Sequence, residues 1–174
     1  DNRGAGDSDK PAGPYSTKMM ADDTARVIKQ LNLGKCHVAG ISMGGAIAQE
    51  LALNYPQLIR SLVIISSWAK CDPYAVQVFD HFKDMRKVST PADFMKLLQL
   101  WIFAAPFFQN EECQASLLEG RETAHENHMD LHAFLAQSDA CMNHDTLDRV
   151  SALSQFPTLI TVGQQDIFTP PKFS

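Results

Sequence analysis

Cysteine is scarce and scattered. The 174-residue chain carries four, Cys36, Cys71, Cys113 and Cys141, without a C-x-x-C pair, which argues against a thiolate metal site or a redox-active dithiol. That usage fits a reducing, cytoplasmic setting. Positive charge is in deficit: fifteen Lys and Arg stand against twenty Asp and Glu, a net charge of -5. With no surplus cation to neutralise phosphates, nucleic acid is not an expected partner. No apolar run is long enough for a bilayer. The longest, Leu97 to Phe108 around Trp101, contains Gln99 and meets Pro106, so no membrane association is expected. No signal-peptide pattern, internal repeat or low-complexity tract is read along the chain. What is present, 45% hydrophobic and 20% charged residues, is the composition of one soluble globular domain.

A polar, Gly-rich run from Asp1 to Asp9 reads as a loop. Ser16 or Thr17 can cap a helix whose apolar positions Met20, Thr24, Val27, Ile28 and Leu31 keep helical spacing until Gly34. Cys36-His37-Val38-Ala39-Gly40-Ile41 is too brief for a helix and reads as a buried strand. A turn at Ser42 to Gly45 and a helix from about Ala46 to Asn54 follow, and Pro56 excludes continuation. Leu62-Val63-Ile64-Ile65 is β-branched without alternation, the pattern of a strand covered on both faces. Strand, helix and strand in that order predict a right-handed parallel crossover. From Trp68 to about Leu153 the pattern is helical only, with starts at Asp72-Pro73, Thr90-Pro91, Asn110 and Asp130, each a capping residue before a periodic segment. Pro157 to Gly163 returns to the buried-strand pattern, so the helical block is an insertion between two strands of one sheet.

Gly40-Ile41-Ser42-Met43-Gly44 matches G-x-S-x-G after a strand and before a helix, the position that motif requires. Glycines two before and two after the serine leave room for a strained turn that thrusts the hydroxyl out of the sheet edge, and Gly45 adds clearance. Ser42 then lies at a helix N-terminus that favours developing negative charge, with the Met43 amide as one oxyanion donor.

These residues resemble the α/β-hydrolase family, in its cap-bearing esterase, lactonase and carbon-carbon hydrolase branch. Asp1-Asn2-Arg3-Gly4-Ala5-Gly6-Asp7-Ser8 is similar to the family's D-x-R-G-x-G-x-S loop, and Gly40 to Gly45 to its nucleophile elbow. Leu53-Asn54-Tyr55-Pro56 through Val63-Ile64 resembles a helix end and the sixth strand, and Phe156 to Asp166 the seventh strand and acid loop. The resemblance implies an α/β fold with a mostly parallel, doubly wound sheet, present in part, and a helical cap inserted between strands. Residues 1–67 and 154–174 would form the core and 68–153 the cap. Asp166, just past the last strand, becomes the matched triad acid, with Asp72 the rival.

The family order of Ser, Asp and His puts a histidine after Asp166, and Ile167 to Ser174 contains none. His37 precedes the nucleophile, while His81, His125, His128, His132 and His144 fall in or beside the helical insertion. His144 and His81 are the first alternatives as base. Three strands would also be too few to bury their own faces, and the strand before Ser42 lacks its family neighbour. The expectation is a fragment of a longer enzyme. His125, His128 and His132 share a helix face but fit no standard zinc spacing, so no metal and no cofactor are expected. Trp68, following a strand's C-terminal end, is the expected pocket wall for a small-molecule substrate, with Trp101, Phe103, Phe107 and Phe108 either pocket or ordinary cap core.

Three function classes remain. The first is a serine hydrolase of a small ester, lactone or thioester, working through an acyl-enzyme on Ser42. The second is a carbon-carbon hydrolase or cofactor-free peroxidase on the same fold. The third is a non-catalytic ligand-binding protein, favoured if the histidine is truly lacking.

Overall fold

Ser16 opens the first helix as the sequence predicts, its hydroxyl accepting the Met19 amide at 3.1 Å. In the computed structural model, which describes residues 1–125 and 129–174, this helix (α1) spans Thr17–Gln30. Its buried stripe is Thr17, Met20, Ala21, Ala25 and Ile28. Val27 and Leu31, expected on that stripe, face outward, because the small residues Ala21 and Ala25 take the close-packing positions against the next helix.

Strand β1 (Cys36–Ile41), helix α2 (Met43–Asn54) and strand β2 (Ile59–Ile65) follow, and the two strands pair in parallel. Helices α3 (Pro73–Val88), α4 (Pro91–Ile102), α5 (Glu111–Glu122) and α6 (Leu131–Met142) come next. They start at Asp72, Thr90, Asn110 and Asp130; the first three accept an amide of their own first turn, and Asp130 caps without a side-chain bond. A 3₁₀ segment, Leu147–Gln155, leads into β3 (Thr158–Thr161), which pairs in parallel with β2. The sheet order is β1-β2-β3. No helix among the described residues is long and apolar enough to cross a membrane.

The main core gathers Met20, Ala21 and Ile28 of α1, Ile47 and Leu51 of α2, Ile59 and Leu62 of β2, and Ala133, Ala136 and Ala140 of α6. Helix α6 therefore packs into the same core as α1 and α2, although in sequence it belongs to the helical insertion. It also holds the first loop: the Gln137 amide donates to the Arg3 carbonyl at 2.8 Å, while the Arg3 guanidinium grips Asp23 with two bonds of 2.7 and 2.8 Å. Leu51 is fully buried at the centre. Leu51→Ala should cost about 2–5 kcal/mol, read as a lower midpoint in urea unfolding at unchanged slope.

The strands are less covered than the sequence pattern predicts. Val38, Leu62 and Ile64 turn toward α1 and α2, but the alternate face is bare: Ile41 is 64% and Leu159 56% exposed. The reason is the placement of the helices. α1 and α2 lie on one face, while α3 packs on α6 and α4 on α5 instead of on the opposite face. Among the described residues the sheet is wound on one side only.

Candidate functional site

At the end of β1 the parallel ladder continues for one more bond, from the Ser42 amide to the Ile65 carbonyl at 2.9 Å. The chain then turns abruptly. Ser42 adopts φ 52° and ψ -122°, a left-handed conformation that a residue with a Cβ avoids. Helix α2 begins at once with Met43, one turn-length earlier than the sequence pattern places it. Serine is a favoured N-cap because its oxygen accepts a first-turn amide, yet the Ser42 side chain makes no such bond. Its hydroxyl is thus left out of the helix cap, at the positive end of the helix.

The glycines around it divide into required and permissive positions. A Cβ on Gly40 would overlap the Gly44 carbonyl, and one on Gly45 would lie 2.5 Å from the Ser67 Cβ. Gly44 faces open space, so a side chain there meets nothing within 4 Å. The expectation that the glycine two after the serine supplies clearance is corrected: Gly45 does, because the first turn of α2 presses this residue against the end of β2.

Asp166 lies in the loop after β3, whose last residue, Thr161, is level with Ile41, the residue before Ser42, since Ile41 pairs with Ile65 and Ile65 with Thr161. Asp166 and Ser42 both lie past the C-terminal edge, with β2 between their strands. The Asp166 carboxylate is held by its own loop. One oxygen accepts the amides of Phe168 at 3.0 Å and Thr169 at 2.7 Å, and the other accepts the Thr169 hydroxyl at 2.8 Å. Burial pushes its pKa up, but these Thr169 bonds and one from the Ser66 side chain outweigh burial and hold it below the usual carboxylate value. The group is therefore an anion at neutral pH. Phe168, two residues on, inserts among Phe79, Phe82 and Trp101 at ring separations of 5.2, 5.6 and 6.4 Å. The loop that carries Asp166 is thereby anchored in the helical insertion. Asp166 also borders a hollow of about 420 Å³, whose other wall includes Leu100, Trp101, Phe103 and Pro106.

Asp72 is committed elsewhere. It caps α3 through the Ala75 amide at 2.8 Å and pairs with Lys172 at 2.5 Å. Trp68 is buried, its indole N–H donating to the Cys141 carbonyl at 3.4 Å and its ring tilted against Phe79. It borders a hollow of about 590 Å³ with Ile64, Phe156 and Ile160, and Ser42 is not among the lining residues. Phe103 and Phe107 stack on each other at 4.3 Å.

Among the described residues no histidine hydrogen-bonds Ser42 or Asp166. His37 shares a 2.6 Å bond with Ser61, His132 approaches the Lys10 carbonyl at 3.2 Å, and His81 is exposed on α3. His144 is walled in, between Thr17 at 2.9 Å and Thr146 at 3.3 Å. The alternative of His144 as a base for Ser42 is therefore corrected: both ring nitrogens are used internally. The helix face expected to carry three imidazoles falls partly beyond description, since the His125 side chain and His128 lie outside the described residues.

Sequence reasoning missed Ser66 and Ser67. Ser66 has φ 44°, and the Ser67 hydroxyl donates to the Ser42 carbonyl at 2.8 Å. Two consecutive serines ending a buried strand were the available signal.

Comparison with known proteins matches residues 1–174 to the alpha/beta hydrolase fold family. The RutD protein of Azorhizobium caulinodans, named for carbamate hydrolysis, is 29% identical over 174 residues, covering 100% of this chain and 64% of that protein. A thermophilic esterase from Thermogutta terrifontis superposes with a TM-score of 0.83 at 27% identity, over 99% of this chain and 62% of its own. The enol-lactonase of Burkholderia xenovorans LB400 gives a TM-score of 0.86 at 21% identity, over 99% and 64%, a likeness of fold. The chain spans somewhat under two thirds of the length of these proteins.

Proposed function

The chain belongs to the alpha/beta hydrolase fold family, and we propose that Ser42 is the nucleophile of a serine hydrolase acting on a small carboxylic ester, lactone, thioester or carbamate. The observation that carries this reading is the backbone of Ser42 itself: a strained serine at a strand-to-helix junction whose hydroxyl is not spent on capping. Carbamate joins the substrate range because RutD proteins are named for it, and all four classes present a carbonyl carbon with a heteroatom leaving group.

In this reading the Ser42 oxygen attacks the carbonyl carbon while a base takes its proton. The carbonyl oxygen becomes an oxyanion, which the Met43 N–H meets at the start of α2. The intermediate collapses by expelling the leaving group, which receives the proton, and water then releases the acyl group from Ser42. Asp166 is the acid that orients the base and stabilises its charged form, and the family's chain order places that histidine after Asp166. Helices α3, α4 and α5 serve as the cap, and the hollow between Asp166 and the Leu100 to Pro106 segment is where a small apolar substituent would lie.

The direct test is labelling by a fluorophosphonate, which reacts with activated serines. In the intact protein the adduct is expected at Ser42, located by peptide mass. An adduct on another serine, or none, sinks the reading.

A further inference from the structure

We propose that Ser67 is a positioning residue for the oxyanion donor: by holding the Ser42 carbonyl it fixes the peptide plane that carries the Met43 N–H. The inference rests on Ser42 being the nucleophile, as proposed above. Its geometry begins with the planar trans peptide, in which the C=O of one residue and the N–H of the next point in opposite directions. Whatever orients the Ser42 carbonyl therefore orients the Met43 N–H. The helix supplies two donors to that carbonyl, the amides of Gly45 at 2.9 Å and Ala46 at 3.3 Å. The third comes from outside the helix, the Ser67 hydroxyl at 2.8 Å.

Ser67 is well placed to hold this plane because it is itself fixed. It is 3% exposed, and the chain on either side of it is pinned. The Ser66 amide donates to the Thr161 carbonyl at 2.8 Å, and the Gln49 side chain of α2 donates to the Trp68 carbonyl at 2.9 Å. The space Ser67 occupies against α2 exists only because residue 45 is glycine, whose added Cβ would come within 2.6 Å of the Ser67 Oγ. Gly45 and Ser67 thus work as a pair: the missing side chain admits the hydroxyl, and the hydroxyl sets the carbonyl. A donor on the carbonyl oxygen also draws electron density along the amide, which makes the Met43 N–H a better donor to an oxyanion.

Removing the hydroxyl leaves the two helical bonds, so the fold should persist while the peptide plane that carries the N–H loses one of its three restraints and is held less tightly. The test compares the intact protein with its Ser67→Ala variant. With p-nitrophenyl acetate, kcat/KM should fall about tenfold, less than the loss of a whole oxyanion donor. Inhibition by an alkyl trifluoromethyl ketone, which forms an oxyanion at the same place, should weaken by the same factor. A merely structural serine would change Tm without this matched pair of losses. Unchanged kcat/KM in Ser67→Ala overturns the inference while leaving Ser42 as nucleophile. A fall in kcat/KM with ketone inhibition intact also overturns it. If fluorophosphonate leaves Ser42 unlabelled in the unsubstituted protein, the nucleophile reading fails and the inference falls with it.

Discussion

Ser42→Ala in the intact protein should reduce ester hydrolysis on the order of 10⁶-fold, the scale on which a serine hydrolase depends on its nucleophile, with the unfolding midpoint little changed. The structural half of that expectation follows from the site: the Ser42 side chain makes no cap bond, so its removal orphans no partner. A glycine in its place sharpens the test. At φ 52° a residue with a Cβ is strained and glycine is not, so Ser42→Gly should be inactive and yet more stable, by about 1 kcal/mol. Opposite signs for activity and stability at one position are the mark of strain kept for function. A serine retained for packing would give the same sign for both. Activity and unfolding curves of the two variants decide the matter, and turnover surviving in either would exclude Ser42 as nucleophile.

The elbow was legible because its requirements are local. Gly40 and Ser42 are two residues apart, and the clash that forbids a side chain at Gly40 is with the backbone of Gly44 and Gly45; Gly45 is the exception, since the atoms it must clear belong to Ser67. Helix starts were legible for the same reason: Asp72 and Thr90 cap amides three residues away, ahead of a proline that fixes the first turn. Strand exposure was not. Leu159 and Val63 have the composition of residues covered on both faces, and composition reports what a strand tolerates, not which helices reach it. The course of α6 was hidden likewise. Its Ala133, Ala136 and Ala140 match α1 and α2 by small size, a complementarity between segments far apart in the chain that periodicity within either cannot show. Ser67 escaped notice because its role is a single bond to a backbone carbonyl 25 positions away.

His144, one of two alternatives for a base on sequence grounds, is made by its environment a determinant of acid stability instead. The ring is 2% exposed, and its two nitrogens meet Thr17 and Thr146. The Thr146 hydroxyl is already committed as a donor to the Gln49 side-chain oxygen at 2.6 Å. A neutral ring satisfies this network, its Nε2–H donating to Thr146 and its Nδ1 accepting from Thr17. Burial is the main force lowering its pKa, to about 4 from 6.5; Glu50 and Asp145 pull it upward and Arg149 downward. In the unfolded chain the ring returns to the ordinary value and takes up a proton that the folded protein refuses.

As pH falls below 6.5 the unfolded state thus binds more protons, and stability is lost progressively until about pH 4, where the folded ring also protonates. A shift of this size corresponds to about 3 kcal/mol across the window. The Asp166 and Asp145 carboxylates, held below the ordinary carboxylate value by hydrogen bonds, withdraw their own contributions at lower pH. The two effects separate on the pH axis. Urea unfolding between pH 7 and 4.5 should show the decline in the unsubstituted protein, and a much flatter profile in His144→Gln, whose amide offers a donating NH2 group and an accepting oxygen without titrating. His144→Gln should be less stable than the parent at pH 7, because its shape is not that of the ring, and the gap should narrow as pH falls. An equal slope in both proteins would show that His144 protonates normally in the fold, and that the Thr17 and Thr146 contacts do not hold the ring neutral.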